Sequence, residues 1–195
     1  MSIGDVNAYF DNLSRAIGKM PLMTIDQIVS VLLEAYESSR MIYLFGNGGS
    51  AALASHFACD LGKGAANGLS KRFQVLAFSD NVPLMTAWAN DACYEDIFAE
   101  QLLNFVRPKD IAFAISGSGK SPNVLKALKL AREAGAHTVG LTGFQGGDMR
   151  HLCDLCLIIP SDNMQIIEDL HLSVTHAVFT ALRAKISQRD HESVV

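Results

Sequence analysis

The sequence predicts an α/β fold: an open, doubly wound parallel sheet of five strands with helices on both faces. The first observation is that five short runs are predominantly apolar and do not alternate polar with apolar residues: 41–45, 73–78, 110–115, 137–142 and 155–160. Such runs are typical of strands buried on both faces of a sheet. The second observation is that helical stretches separate these runs. Alternation of strand and helix is the pattern of a parallel sheet.

Local signals predict where the main helices begin and end. Pro21 helps to end a first helix, and TIDQ at 24–27 matches a capping box that opens a second, amphipathic helix. Ser121 is predicted as the N-cap of a helix over 122–134, with proline at its first position. A long last helix is predicted over 162–186.

Composition limits the classes of protein to which this chain can belong. With 195 residues, of which 49% are apolar and 18% charged, we expect a single domain over 1–195. The net charge is −4 with acids and bases interspersed, so neither nucleic acid nor membrane is an expected partner. The N-terminus lacks the basic and apolar regions of a secretory signal, which predicts a cytoplasmic protein.

Four scattered cysteines are expected to be buried structural thiols. Cys153 and Cys156 form a C-x-x-C pair, but the pair leads into an apolar run instead of opening a helix, as a redox motif does. A redox or metal-binding role is the alternative.

The turn after the third apolar run reads SGSGKS and predicts a phosphate site. Ser116, Ser118 and Ser121 offer hydroxyls beside backbone N–H groups at a helix N-terminus, where the helix dipole favours an anion. The GKS triplet also suggests a nucleotide-binding P-loop. That motif requires a glycine where this chain has Ala114, so nucleotide hydrolysis is disfavoured.

A second glycine-rich turn, GNGGS, follows the first apolar run. Its glycines let the backbone approach a ligand closely, and Asn47 adds an amide that both donates and accepts hydrogen bonds. These features suit a polyhydroxylated ligand.

Residues on two helices suggest a metal site. His56 and Asp60 lie four residues apart and share one helix face, while the last helix has Glu168, His171 and His176, the first two close together on its surface. Two histidines and two carboxylates suit Zn²⁺ if the helices meet, whereas a buried histidine capped by a carboxylate gives the same pattern without metal. Four apolar residues of the last helix are expected in the core: Leu170, Leu172, Val174 and Val178.

Taken together, these motifs resemble the sugar isomerase domain family, and within it the phosphoheptose isomerase type. The resemblance covers nearly all of 5–187 and rests on six features: GNGGS at 46–50, the helix with His56, AND at 89–91, ISGSGKS at 115–121, LTG followed by GG over 141–147, and a final E-x-x-H-x-x-x-x-H helix. It implies a flavodoxin-like five-stranded parallel sheet and a homotetramer with active sites between subunits. The implied activity is conversion of a ketose phosphate, sedoheptulose 7-phosphate, to an aldose phosphate.

The resemblance also implies roles for particular residues. Sugar contacts are implied for Asn47, Gly48, Gly49, Asn90 and Asp91, and phosphate contacts for Ser116, Ser118 and Ser121. The expected substrate-binding set further includes Ser50, Gly117 and Glu168. The implied zinc ligands are His56, Asp60, Glu168 and His176.

Three positions depart from the family pattern. Asp60 stands where the isomerases usually have Glu, Glu168 where they usually have Gln, and Gly117 where they more often have Thr. Our hypothesis assigns proton transfer to Asp60 and His176, with zinc at the C1 and C2 oxygens of the sugar. The alternative is a non-catalytic member that binds a phosphosugar as a regulator, or binds the bacterial replication initiator as one relative does.

Overall fold

The computed structural model describes residues 3–64 and 71–192. The helices of the described chain are α1 (Ile3–Ile17), α2 (Leu22–Glu37), α3 (Gly49–Cys59), α4 (Val82–Asp91), α5 (Ala99–Leu103), α6 (Pro122–Glu133) and α7 (Met164–Glu192). The strands are β1 (Met41–Gly46), β2 (Gln74–Ala77), β3 (Ile111–Ile115), β4 (His137–Thr142) and β5 (Leu155–Ile158).

All five strands pair in parallel in one sheet, in the order β2-β1-β3-β4-β5. This confirms the predicted fold, because each apolar run forms a strand and the order is the flavodoxin-like one. The sequence predicts strands that are buried on both faces, and β2 departs from this. Its Leu76 is 42% exposed, because the strand lies at the edge of the sheet. Strand order reverses between β1 and β3, and that switch point is where such sheets bind ligands.

The core has two layers, one on each face of the sheet. Side chains of β1 alternate between them: Ile42 and Leu44 pack on the face covered by α2, α3 and α7, while Tyr43 and Phe45 pack against α5 and α6. Successive side chains of a strand point to opposite faces, so an entirely apolar strand serves both layers. The sheet is thereby fixed from both sides, and its loops at the switch point rest on a rigid base.

The helix boundaries correct two predictions. The predicted capping box at 24–27 is wrong, since α2 already begins at Leu22, directly after Pro21, and Thr24 N donates to Pro21 O at 3.0 Å inside its first turn. α7 starts two residues later than predicted and runs to Glu192. Its start is capped by Asn163, whose Oδ1 accepts from Gln165 N at 3.0 Å.

The expectation that all four cysteines are buried is also wrong. Cys59 and Cys93 are exposed, and Cys153 and Cys156 are half-buried. Cys59 ends α3 on its solvent side, and Cys93 lies in the turn after α4, where Sγ donates to Asp96 Oδ2 at 3.2 Å.

Among the described residues, no single helix has both the length and the apolar character needed to cross a membrane. One pair of helices, Gly4–Ile17 and Leu22–Glu37, passes that test only jointly, with a bend of 67° between them.

Candidate active site

The two glycine-rich turns lie side by side at the carboxyl ends of β1 and β3. Gly46 and Ile115 are paired in the sheet, so Asn47 and Ser116 leave neighbouring strands at the same level. The strands approach so closely there that a Cβ added at Gly46 would lie 2.5 Å from Ile115 O. Glycine at this position therefore allows the two turns to meet at the switch point.

The serine loop, residues 116–121, brings its hydroxyls together. Ser116 is buried, and its Oγ lies 3.3 Å from Ser121 Oγ. Ser118 Oγ accepts a hydrogen bond from Lys120 N at 3.3 Å. Ser121 occupies the N-cap position of α6, but its hydroxyl makes no capping bond, so the capping prediction is wrong in that respect. The hydroxyl faces Ser116 instead.

Glycines hold the serine loop against the next loop of the sheet, residues 143–148. Gly119 has a φ of +64°, and a Cβ added there would lie 2.2 Å from Gly146 O. A Cβ at Gly147 would likewise lie 2.5 Å from Gly119 O. Met149 N closes the contact by donating to Gly119 O at 3.0 Å. The two loops are therefore packed backbone against backbone.

In the GNGGS turn, Asn47 is held by side chains that the sequence analysis did not identify. Asn47 Nδ2 donates to Asn123 Oδ1 at 2.9 Å, and Asn123 Nδ2 returns a bond to Asn47 Oδ1 at 2.8 Å. Tyr94 OH also donates to Asn47 Oδ1, at 3.1 Å. Asn123 is buried, and a buried amide early in a helix was the available signal. These bonds fix the Asn47 amide at the switch point.

His56, Asp60 and His176 converge, as the sequence predicts if α3 and α7 meet. His56 Nε2 lies 2.9 Å from His176 Nε2 and 3.4 Å from Asp60 Oδ2, and His176 Nε2 lies 3.8 Å from the same oxygen. Ligand atoms around a tetrahedral Zn²⁺ are about 3.3 Å apart, given metal–ligand bonds of about 2.0–2.1 Å. The donor set and its spacing therefore fit a zinc ion.

Asp60 gives a second reason to expect a cation there. Its Oδ2 is buried and has no hydrogen-bond partner in the part of the chain that the structure describes. A buried carboxylate oxygen without a donor is costly, and a metal ion would compensate for it. Asp60 begins a π-helical turn, Asp60–Gly64, that continues α3. Such turns occur frequently at functional sites.

Glu168 lies outside this group of three. Its carboxylate faces the first turn of α3, where a Cβ added at Gly49 would lie 3.2 Å from Glu168 Oε1. Glu168 lines a cavity of about 330 Å³ together with His56, Gly49 and Ser50, the last of which is buried. A carboxylate at a helix N-terminus is stabilised by the helix dipole.

His171 and Leu172 correct the prediction for the last helix. His171 is 1% exposed, so it does not share the surface with Glu168, and neither ring nitrogen has a partner of good hydrogen-bond geometry among the described residues. Burial lowers the pKa of His171 to about 4, with the Thr142 backbone opposing the shift, so the imidazole is neutral. Leu172, predicted in the core, is 39% exposed, whereas Leu170, Val174 and Val178 are buried as predicted.

Asn90 and Asp91 lie at the end of α4, away from the hydrogen bonds described above. Asn90 Nδ2 donates to Asp91 Oδ1 at 2.7 Å, and in the described part of the chain neither side chain bonds to another predicted site residue. Both are exposed, and no residue of α4 is buried.

Comparison with known proteins identifies the family of this chain. Residues 7–143, more than half of the chain, match a family model described as SIS domain. The chain belongs to the SIS domain family. Curated SIS relatives include the phosphoheptose isomerase of Bradyrhizobium sp., 35% identical over 86% of this chain and 84% of that one. The phosphoheptose isomerase of Helicobacter pylori is 34% identical over 94% of each chain.

Solved structures with the same SIS fold include two phosphoheptose isomerases. The one from Neisseria gonorrhoeae superposes with a TM-score of 0.86 at 28% identity, covering 93% of this chain and 98% of that one. The one from Francisella tularensis has a TM-score of 0.86 at 25% identity, covering 94% and 99%. The Vibrio vulnificus NanR protein shares the fold alone, at 18% identity and a TM-score of 0.69.

This SIS domain therefore has two chemical elements, one in the loop after β3 and one on helices α3 and α7. The serine loop offers hydroxyls at the start of α6, which suits a phosphate. The second element, the group of His56, Asp60 and His176, can bind a metal ion and exchange protons.

Proposed function

We propose that this SIS domain protein is a phosphoheptose isomerase, which converts sedoheptulose 7-phosphate to D-glycero-D-manno-heptose 7-phosphate in heptose biosynthesis. The observation on which the proposal rests is the His56–Asp60–His176 group, whose helix α3 begins at the GNGGS turn next to the phosphate-type loop. A domain that only binds a phosphosugar needs the loop but has no need of that group. The curated relatives named phosphoheptose isomerase support the same reaction.

In this proposal the serine loop binds the phosphate at the end of the sugar far from the reacting carbons. Ser116 and Ser121 hydroxyls lie 3.3 Å apart and can both donate to one phosphoryl group, with Ser118 beside them. The dipole of α6 adds favourable electrostatics. Binding energy from the distal phosphate then orients C1 and C2, which lowers the entropic barrier of the reaction.

The isomerisation moves one proton from C1 to C2 through an enediol or enediolate. Asp60 takes the proton from C1. Its Oδ2 lies against the two imidazoles, so its other carboxylate oxygen, Oδ1, is the one available to accept that proton. His176 exchanges a proton with the sugar oxygens through Nδ1, since its Nε2 belongs to the group, and the protonated Asp60 returns its proton to C2. Asn47, fixed by Asn123, and the backbone of Gly48 and Gly49 bind the sugar hydroxyls.

The proposed cofactor is Zn²⁺, bound by His56, Asp60 and His176, with Glu168 as the candidate fourth ligand because it lines the same cavity as His56. When bound, zinc would polarise the carbonyl and hydroxyl oxygens at C1 and C2 as a Lewis acid. Asn90, Asp91, Ser50 and Gly117 remain part of the proposed substrate-binding set.

We further propose that the whole chain, 1–195, forms one SIS domain that acts in the cytoplasm as a homotetramer. Exposed apolar side chains support assembly: Phe10, Met23 and Val82 are 61%, 80% and 58% exposed. They belong to α1, α2 and α4, and side chains of this kind are typical of surfaces that associate. Light scattering at micromolar concentration should give four times the chain mass; a monomer would contradict the assembly.

The experiment that tests the function combines metal analysis with an assay. Protein purified without chelator should contain about one zinc per chain, and it should form an aldose from sedoheptulose 7-phosphate. Chelation should abolish turnover and added Zn²⁺ should restore it. A protein that binds the sugar phosphate but neither holds metal nor isomerises with added Zn²⁺ would instead be a phosphosugar-binding regulator.

A further inference from the structure

A second cavity, of about 470 Å³, opens beside the serine loop on the side of β4. Ser118 and Lys120 of the serine loop line it together with Phe144 and Gly147 of the next loop and with Arg150. The cavity shares Ser118 with the predicted phosphate site, but neither the Ser116–Ser121 pair nor any member of the His56–Asp60–His176 group lines it, so it is a separate cavity.

The charges around this cavity are of one sign. Lys120 and Arg150 line it with their positive charges, and no aspartate or glutamate among the described residues does, although the chain has a net charge of −4. Asp148 lies in the same loop but does not line the cavity, whereas Arg132 approaches from outside, where its Nη1 donates to His151 O at 3.0 Å. The cavity also lies at the edge of the sheet where α6 begins. Its electrostatic potential therefore favours an anion.

The backbone of the cavity adds hydrogen-bond donors. The N–H groups of Ser118 and Gly147 make no hydrogen bond to any described residue. Phe144 has a φ of +49°, a conformation that a bulky residue rarely adopts and that is often found at ligand sites. Unpaired N–H groups together with lysine and arginine match the oxygens of a phosphoryl group.

We propose that this cavity is a second phosphoryl-binding site, which takes a phosphorylated small molecule other than the sugar phosphate of the active site. The distinction between the two occupants rests on the proposed function of the serine loop. Because Ser118 and Lys120 belong to that loop, an occupant of the second site contacts the back of the substrate's phosphate site. Binding at either site then changes affinity at the other by the same factor.

Equilibrium dialysis with inorganic phosphate tests the proposal. The wild-type protein should bind two phosphates per chain. The exposed Lys120 and Arg150 can be replaced without disturbing the core, and a Lys120→Gln/Arg150→Gln variant should bind at one of the two sites about tenfold or more weakly, having lost two charged donors. Arg150→Lys, which keeps the charge, should lose less. Lys129→Gln, an exposed lysine of α6 outside the cavity, is the matched control and should bind as wild type does.

A Ser116→Ala/Ser121→Ala variant separates the two proposals. This variant should lose the phosphate bound by the serine loop and keep the phosphate bound in the second cavity. If the Lys120/Arg150 variant binds phosphate with wild-type stoichiometry and affinity, the second site does not exist. If that variant loses a phosphate while the serine variant loses none, the second site stands and the proposed role of the serine loop is wrong.

Discussion

The serine loop and the His56–Asp60–His176 group, the two halves of the candidate active site, differ in how far the chain encloses them. Ser116 is 5% exposed, and its N–H donates to Leu141 O in the neighbouring strand. The side chains of His56 and His176 are 49% and 50% exposed and are placed by two helices. The phosphate half is thus built into the sheet, whereas the metal half depends on how α3 and α7 meet and on what covers them.

The largest expected effect is on the metal half. His176→Ala removes one of the proposed zinc ligands and a proposed proton-transfer group, so zinc affinity should fall by about a hundredfold or more and turnover by at least as much. The fold should persist, since His176 is exposed. Metal content and turnover are measured on the same preparation. Ser173→Ala, on the exposed side of α7, should leave both unchanged; unaltered zinc in the His176 variant would contradict the ligand assignment.

Substitutions in the serine loop should lower the affinity for the sugar phosphate. Replacing Ser116, Ser118 and Ser121 together by Ala removes three donors to a charged group, each of which contributes about 1.5–3 kcal/mol. Calorimetry should therefore show sugar-phosphate affinity reduced by more than a hundredfold, with zinc content intact. Ser30→Ala, which removes a hydroxyl bonded only within α2, serves as control. Unchanged affinity would refute the placement of the phosphate.

Asp60→Glu sharpens the comparison, because it restores the residue that the family usually has. In this chain Asp60 Oδ2 is buried and lies 3.4 Å from His56 Nε2 and 3.8 Å from His176 Nε2. The extra methylene of glutamate would move the carboxylate out of this position. We expect turnover and zinc affinity to fall by about tenfold. An increase in turnover would mean that the site is not adapted to Asp.

The last prediction concerns stability instead of turnover, and it depends on pH and on the core beneath the site. His171 has a folded pKa of about 4, below the ordinary histidine value of 6.5, so the unfolded chain binds the proton first and stability falls as pH drops from 6.5 towards 4. The loss amounts to roughly 3 kcal/mol over that range. Denaturant unfolding is measured in the presence of chelator. The free energy of unfolding of His171→Leu should fall less between pH 6.5 and pH 4 than that of the wild type. His151→Gln, at an exposed histidine, should decline as wild type does; an identical decline in the His171 variant would contradict this account.

The sequence predicts the strands well because their signal is local. Each apolar run forms a strand, and the turns at the ends of β1 and β3 mark the switch point. The grouping of His56, Asp60 and His176 could only be stated conditionally, because helix spacing shows which residues share a face but not which helices meet. The structure supplies that condition.

Other features depend on tertiary contacts that no local pattern encodes. His171 is buried and Leu172 exposed because α7 turns its Leu170–Val174–Val178 face, with His171 beside it, towards the sheet. The side chains that hold Asn47 come from distant parts of the chain, Asn123 and Tyr94. Neither residue belongs to a sequence motif that would have indicated its contact with Asn47.

The backbone contact between Gly119 and residues 146–147 has a consequence for motion. Neither loop can lift from the sheet alone, since Met149 N and Gly143 N donate to Gly119 O and Gly117 O across the contact. The two loops therefore form one cooperative opening unit, and their amide hydrogens exchange with solvent through shared openings. A ligand that binds to either loop slows the exchange of both.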